Sequence, residues 1–288
     1  MVVDFNGDDR DAIAVVLAEI ALKAGPAVME EYACAAQSRA KADGSPVTLA
    51  DHRAEAIIVE RLAALAPGIA VVAEEAAAAG DTPIVGRRFF LVDPLDGTRE
   101  FIARNGEFTV NIALIEDGRP IAGAVYAPAV AKIWFAGRRA FMARAETGAR
   151  LADPGDWRGL KTRTAPERLT ALASRSHCDP DTESFLARLS VAERVSAGSS
   201  IKFCVVAEGQ ADVYPRFAPT REWDTAAGDA VLRAAGGAVL QLDGAPLVYG
   251  KAAQSFRNGG FVCWGDPRRV EALFGAAASR PPWFTNAR

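Results

Sequence analysis

Histidine and cysteine are scarce in this sequence, and their scarcity limits the kind of metal site that the chain can build. The 288 residues include two histidines and four cysteines, and no two cysteines form a Cys-x-x-Cys pair. Scattered thiols of this kind are typical of reduced, packed side chains rather than of a disulfide framework. A zinc site of histidine and cysteine is close to excluded, so any metal is expected to be an oxygen-liganded ion such as Mg²⁺ or Mn²⁺.

An excess of positive charge is also missing. The formal net charge is −3 and the sequence pI is about 5.6. The composition therefore offers no electrostatic footprint for a nucleic-acid polymer or for an anionic membrane surface. A small anionic substrate remains open if metal ions supply the positive charge.

The sequence starts without a basic leader, and we find no window of the roughly 18 apolar residues that a spanning helix needs. We expect a cytoplasmic protein without stable membrane insertion, and leave open a peripheral association with the inner membrane. Half of the residues are hydrophobic, so the chain can bury one large core or two small ones. Both a monomer and a homodimer are compatible with this composition.

The most informative stretch is residues 89–98, FFLVDPLDGT. A short run of large apolar residues predicts a buried strand, and Pro94 is expected to end it because proline has no N–H for the ladder. Asp93, Asp96 and the Leu95 carbonyl then offer three oxygen ligands close together. A solvated turn would explain an isolated Asp-x-x-Asp, but two acids at the end of an apolar strand repel each other unless a cation or donors compensate.

The residues that follow this strand suit an anion. The backbone amides of Gly97 and Thr98 are expected to begin a helix, whose free N–H groups and positive dipole end favour negative charge. Hard-cation ligands beside a phosphate-binding turn indicate metal-assisted phosphoryl chemistry.

Other acids also stand where elements begin or end. Glu74 and Glu75 follow a predicted strand over 69–73, and at least one of them is a candidate bridging ligand. Thr48 and Asp51 have the spacing of a helix capping box, and Asp51 could also hold a water over a site. Asp224 begins a later helix, where capping explains it equally well on its own.

A second stretch with anion-binding chemistry is Gly198-Ser-Ser200, which precedes a helix carrying Lys202. Backbone amides, hydroxyls and a nearby ammonium suit a phosphate, although an ordinary helix cap explains the same residues.

Hydrophobic periodicity predicts two early helices, a meander of antiparallel strands over 108–141, and a polar linker over 145–167. We interpret the first helix, 9–33, as amphipathic. The second half alternates strands and helices, ending in a helix over 266–274. We predict an N-terminal α+β subdomain, 1–150, with most of the metal ligands, and a C-terminal α/β subdomain, 151–288, that completes the site.

These motifs together resemble the inositol monophosphatase-like family of Mg²⁺-dependent, lithium-sensitive phosphatases. The likeness runs from about residue 40 to residue 235, and its core is the paired glutamates, the DPLDGT stretch and a Trp-Asp pair. Within the family, the sequence is most similar to the bacterial 3′(2′),5′-bisphosphate nucleotidases. That narrower likeness is carried by residues 41–48, 105–114, 174–177, 198–203, 207–210, 214–217 and 223–228.

The resemblance implies a layered αβαβα sandwich and two or more Mg²⁺ ions, with Mn²⁺ as an alternative. It places Glu74, Asp93 and the Leu95 carbonyl on one metal, and Asp93, Asp96 and Asp224 on a second. Thr98, with Asp51 behind it, would orient the attacking water and accept its proton, and Glu74 joins them in the catalytic set. The implied substrate-binding residues are Leu95, Asp96, Gly97, Thr98, Ser199, Ser200, Lys202, His177, Arg221 and Asp224.

The implied substrate is adenosine 3′,5′-bisphosphate, cleaved to AMP and phosphate, in a function linked to sulfate assimilation. An inositol-1-phosphate or fructose-1,6-bisphosphate phosphatase would have the same metal core, so substrate profiling separates these alternatives. A non-catalytic phosphonucleotide sensor is the rival of a different class. A sensor, however, has no need for the water-orienting pair of Asp51 and Thr98.

Overall fold

The computed structural model of the chain describes residues 3–34, 38–40, 46–174 and 180–270. Predictions for residues 41–45, for His177 and for the end of the C-terminal helix fall outside these ranges. The helices are α1 Arg10–Ala33, α2 Leu49–Leu65, α3 Glu74–Ala78, α4 Thr98–Ile102, α5 Pro180–Leu186, α6 Ile201–Ala207 and α7 Ala226–Ala234.

Sixteen strands are described. They are β1 Ser38–Ala40, β2 Pro46–Thr48, β3 Ala70–Ala73, β4 Arg88–Asp96, β5 Thr109–Glu116, β6 Arg119–Ala127, β7 Lys132–Ala136, β8 Ala140–Arg144, β9 Arg158–Gly159, β10 Leu169–Ser174, β11 Val191–Ala197, β12 Val213–Arg216, β13 Thr220–Arg221, β14 Ala238–Gln241, β15 Arg257–Asn258 and β16 Phe261–Trp264.

Two large sheets are built from these strands. The first has seven strands in the order β3 to β9, antiparallel except for the parallel pair β3 and β4. The second has five strands in the order β11-β10-β12-β16-β14 and is mixed. The pairs β1 with β2 and β13 with β15 form small two-stranded sheets. The predicted meander over 108–141 is confirmed.

Alternate residues of a strand face opposite sides of the sheet, and their packing partners define the layers. On β4, Phe90 and Val92 pack with α1 and α2, whereas Phe89 and Leu91 pack on the opposite side with α6, α7 and the second sheet. The far face of the second sheet packs against Leu186 of α5. The order is therefore helix, sheet, helix, sheet, helix, and the predicted αβαβα sandwich is confirmed. The division at residue 150 stays a prediction.

Two details of the elements differ from the predictions. Helix α1 is buried around most of its circumference, because it lies between α2 and the first sheet, so it is not amphipathic. Strand β4 does not end at Pro94. Pairing continues from Asp93, opposite Asn111, to Asp96, opposite Thr109, through a β-bulge that accommodates the missing N–H of the proline.

By length and composition α1 could also cross a membrane, in contrast to our sequence interpretation, but 67% of its apolar window is buried inside the fold. A core helix shows the same composition, so this helix is weak evidence for a membrane location.

Candidate active site

The bulge near the end of β4 places Asp93 and Asp96 at the boundary between the two sheets. Asp93 is 1% exposed, and its Oδ1 accepts a hydrogen bond from Leu95 N at 3.0 Å. Asp96 Oδ2 accepts a bond from Ser200 N at 2.6 Å and lies 2.8 Å from the Ser200 hydroxyl. Residues of the first sheet and of the loop before α6 thus meet at one carboxylate.

Asp224 joins this group from the loop before α7, so the prediction that it begins this helix is wrong: the N-cap is Thr225. Its Oδ2 accepts a hydrogen bond from Arg221 N at 2.8 Å, and its carbonyl oxygen lies 2.7 Å from Ser200 Oγ. Glu74 begins α3, directly after the parallel strand beside β4. The structure therefore brings together four predicted metal ligands, Glu74, Asp93, Asp96 and Asp224.

The electrostatics of these acids show a cluster whose negative charge is only partly compensated. Burial, followed by the charges of Glu74, Asp96 and Asp224, holds the pKa of Asp93 well above its usual range. Burial, followed by the charges of Asp96 and Glu74, does the same for the pKa of Asp224. The pKa of Asp96 is also raised by burial, against the opposing effect of Lys202. Neighbouring carboxylates of this kind suit a hard divalent cation.

Within the described ranges, no three histidine, cysteine or acidic side chains form a closed set of metal ligands. Asp96 and Asp224 each direct one oxygen to a backbone N–H. The donors nevertheless fit Mg²⁺ chemically, because the cluster is entirely of oxygen and its acids repel one another.

Asp51 of α2 and Thr98 of α4 approach each other near the end of β4. Asp51 is 1% exposed, and its Oδ2 accepts bonds from Thr48 N and Thr48 Oγ1, both at 2.7 Å, which confirms the predicted capping box. Its Oδ1 lies 3.4 Å from Thr98 Oγ1, which is 3.2 Å from the Leu95 carbonyl oxygen. The helix cap thus holds one oxygen of Asp51 and leaves the other facing Thr98.

Gly97 provides the turn between the acids and α4. Its φ of 91° is the left-handed conformation that favours glycine. A Cβ here would approach the Glu107 carbonyl oxygen to 3.0 Å and Ser199 Cβ to 3.2 Å. The glycine therefore lets the loop before α6 pack closely on the turn, with Thr98 at the first position of the helix.

A cavity of about 260 Å³ opens beside the acids. Seven predicted site residues line it, namely Glu74, Asp96, Gly97, Thr98, Ser199, Lys202 and Asp224. Lys202 is buried, and its Nζ donates to the Ala197 carbonyl oxygen at 3.2 Å and lies 5.3 Å from the centre of the Tyr214 ring. Burial lowers the pKa of Lys202 to about 8, against the opposing effect of Asp96.

The placement narrows the prediction for the glutamate pair to one residue, and two other predictions differ from it or fall outside it. Arg221 does not line the smaller cavity but a neighbouring one of about 820 Å³, which shares Glu74, Thr220 and Asp224 with it. Glu75 is buried and lines neither cavity, so only Glu74 of the pair faces the site. His177 lies outside the described residues.

Sequence reasoning missed Arg216, which ends β12, lines the smaller cavity and opposes the raised pKa of Asp224. The signal in the sequence was an arginine directly after an apolar strand in the stretch 214–217.

Comparison with known proteins agrees with this arrangement. The model of the inositol monophosphatase family matches residues 9–264. The chain is 46% identical over 245 residues to the 3′(2′),5′-bisphosphate nucleotidase CysQ of Escherichia coli O157:H7, covering 84% of this chain and 96% of that protein. It is 31% identical to the CysQ of Aggregatibacter actinomycetemcomitans, covering 85% of this chain and 89% of that one.

Solved structures give the same result. The crystal structure of CysQ from Bacteroides thetaiotaomicron, a bacterial member of the inositol monophosphatase family, matches with a TM-score of 0.71 and 39% identity, covering 88% of this chain and 96% of that one. The inositol monophosphatase of Thermotoga maritima shares the fold at 23% identity, with a TM-score of 0.70 and coverage of 92% and 95%. The chain belongs to the inositol monophosphatase family.

Proposed function

We propose that this chain is a Mg²⁺-dependent, lithium-sensitive phosphatase that hydrolyses adenosine 3′,5′-bisphosphate to AMP and phosphate. Removal of the 3′-phosphate from adenosine 3′-phosphate 5′-phosphosulfate would be a second activity, and both link the enzyme to sulfate assimilation. The observation that carries the proposal is the cluster of Glu74, Asp93, Asp96 and Asp224, of which Asp93 is buried and the others are half-buried. The cluster lies at the edge of a cavity that basic side chains also line. The names of the CysQ relatives support the substrate.

Glu74, Asp93, Asp96, Asp224 and the Leu95 carbonyl are the groups that would hold the metal ions. When bound, Mg²⁺ supplies positive charge for the phosphate oxygens and lowers the pKa of a water.

The remaining steps belong to the chain itself. Asp51 Oδ1, held in place by the capping box, accepts a proton through Thr98 Oγ1, so this pair orients and deprotonates the attacking water. The amides of Gly97 and Thr98 bind phosphate oxygens. Lys202 and Arg216 line the same cavity and supply fixed positive charge beside the acids.

The alternatives are an inositol-1-phosphate or fructose-1,6-bisphosphate phosphatase, and a sensor that binds a phosphonucleotide without cleaving it. The deciding experiment measures phosphate release in Mg²⁺ from adenosine 3′,5′-bisphosphate, inositol-1-phosphate and fructose-1,6-bisphosphate, with and without lithium. We expect a preference for the nucleotide that lithium abolishes, and almost no turnover by Asp96→Asn.

Preference for a sugar phosphate would overturn the substrate assignment and keep the metal site. Tight nucleotide binding without release would favour the sensor. Undiminished turnover by Asp96→Asn would contradict the metal role of Asp96. We propose a cytoplasmic location, which fractionation of cells that express the protein would test.

A further inference from the structure

The larger cavity beside the acidic cluster has two arginines on its wall. Arg221 lies on β13 and Arg257 on β15, and the two residues are directly opposite each other in this antiparallel pair. Both line the cavity of about 820 Å³, whose boundary with the smaller cavity includes Glu74 and Asp224. A molecule with a phosphate at the acids can therefore extend from them toward the arginines.

The charges of the two arginines are not balanced by acids. Across the described part of the chain, no carboxylate lies within 4.0 Å of either guanidinium group. Arg221 donates to the Ser255 carbonyl oxygen at 2.8 Å and lies 5.9 Å from the centre of the Trp223 ring. Like charges that face each other across a strand pair destabilise it. This arrangement would gain stability from an anion between the two side chains.

The cations of the smaller cavity are in a different situation. Lys202 is electrostatically coupled to Asp96, and Arg216 to Asp224, so their charge is already engaged with the acidic cluster. Arg99 also lines this cavity and has an interaction partner of its own. The smaller cavity, at about 260 Å³, is also below the roughly 300–1,000 Å³ of ordinary ligand pockets, whereas the larger one is within that range. The second anionic group of a substrate therefore has its free partners in the larger cavity.

We infer that Arg221 and Arg257 form a subsite for the substrate phosphate that is not cleaved, which is the 5′-phosphate of a nucleoside 3′,5′-bisphosphate. The inference rests on the proposed function and deepens it. Two guanidinium groups can each donate paired hydrogen bonds to phosphate oxygens, whereas a nucleoside 3′-monophosphate leaves both without an anionic partner. The pair would thus determine preference for bisphosphates over monophosphates.

The test compares kcat/KM in Mg²⁺ for adenosine 3′,5′-bisphosphate and adenosine 3′-monophosphate. The proteins are the parent chain, Arg221→Gln, Arg257→Gln, the double variant, and Arg144→Gln. The last is a matched control, because the Arg144 side chain is 82% exposed and pairs with Glu146 on the surface.

We expect the double variant to lose roughly 10- to 100-fold in kcat/KM for the bisphosphate, which is about 1.4–2.8 kcal/mol at 1.4 kcal/mol per factor of ten. The loss should arise mostly through KM, because the charge-assisted hydrogen bonds to the phosphate are removed. Its kcat/KM for the monophosphate should change less than about 3-fold, and Arg257→Lys should restore part of the loss.

An equal loss for both nucleotides, or no loss for the bisphosphate, would overturn the subsite. If the parent chain cleaves neither nucleotide, the proposed function fails, and calorimetric binding of the same two nucleotides then tests the arginines separately. A preference for the bisphosphate that persists unchanged in the double variant would rule the subsite out.

Discussion

Two buried glutamates hold the backbone that carries the acidic cluster. Glu55 of α2 accepts hydrogen bonds from Glu75 N at 2.7 Å and Ala76 N at 2.9 Å, and so caps the short helix that begins at Glu74. Glu222, two residues before Asp224, is fully buried. It accepts hydrogen bonds from Gly250 N at 2.7 Å and from Lys251 N at 2.9 Å. Neither glutamate lines either of the two cavities beside the acids, so we assign both a positioning role.

The role of Glu55 predicts a defect in metal affinity rather than in folding alone. Glu55→Ala removes both acceptors from the amides of α3 and loosens Glu74, whereas Glu55→Gln keeps one. We expect the half-saturating Mg²⁺ concentration to rise roughly 10- to 100-fold in the alanine variant and less in the glutamine variant, as for outer partners of metal ligands.

Mg²⁺ titration of phosphate release measures this effect, with Glu60→Ala as the control because Glu60 is an exposed acid on the same helix. A kcat that falls at an unchanged half-saturating Mg²⁺ concentration would contradict the positioning role.

At the scale of elements, the turn between β4 and α4 joins the metal ligands to the predicted phosphate-binding amides. Gly97 has both a positive φ and close neighbours, whereas Gly80 has a φ of 86° and no atom within 4 Å of the position that a Cβ would take. The two glycines separate the cost of backbone conformation from the cost of crowding.

Gly80→Ala should lower the free energy of unfolding by about 1 kcal/mol, which is the cost of the backbone conformation alone. Gly97→Ala should cost about 1–3 kcal/mol more, since the Glu107 carbonyl oxygen and Ser199 must also move. Urea denaturation of both variants measures the difference. Equal decreases in the free energy of unfolding would show that the loop before α6 can move to accommodate the Cβ without destabilising the protein.

Most elements could be predicted because local patterns specify them. The strand over 89–92, the capping box at Thr48 and the helix after Ser200 each depend on neighbouring residues, and all three are present. The bulge after Asp93 could not be predicted, because it depends on the register with β5. Tertiary packing also determines the burial of α1. Its periodicity could not show that α2 and the first sheet both cover it.

The site was predictable to a similar extent. The four acids stand at the ends of recognisable elements, and the structure brings them together. Arg257 carried no local signal, because its proximity to Arg221 arises from the pairing of two short strands more than thirty residues apart in the sequence.

At the scale of the whole molecule, a buried acid lies in the layer between the two sheets. Asp229 of α7 is fully buried, its Oδ2 accepts a hydrogen bond from Tyr249 OH at 3.0 Å, and Oδ1 has no hydrogen-bond partner among the described residues. Arg233, at 3.9 Å, compensates only in part, and burial raises the pKa of Asp229 to about 6.

This raised pKa predicts how stability depends on pH. Between pH 4 and 6 the unfolded chain releases the Asp229 proton while the folded chain keeps it, so the contribution of this group to stability falls as pH rises. Asp229→Asn keeps an acceptor for Tyr249 and removes the ionisation. At pH 7.5 it should raise the free energy of unfolding by up to about 3 kcal/mol, at 1.36 kcal/mol per pKa unit.

Near pH 4 the gain from Asp229→Asn should largely disappear. Denaturant unfolding at the two pH values measures the change, and Asp156→Asn is the control because Asp156 is exposed. A gain of the same size at both pH values would show that ionisation of Asp229 is not its cause.

The hydrogen bonds from Ser200 to Asp96 have a consequence for folding during synthesis. The first sheet contains Asp93 and Asp96, but Ser200 and Asp224 are synthesised more than a hundred residues after them. A nascent chain on the ribosome therefore exposes two acids before it has the residues that complete the pocket. We therefore expect hydrolysis to begin only after the later layers have docked, and fragments that end before residue 224 to be inactive.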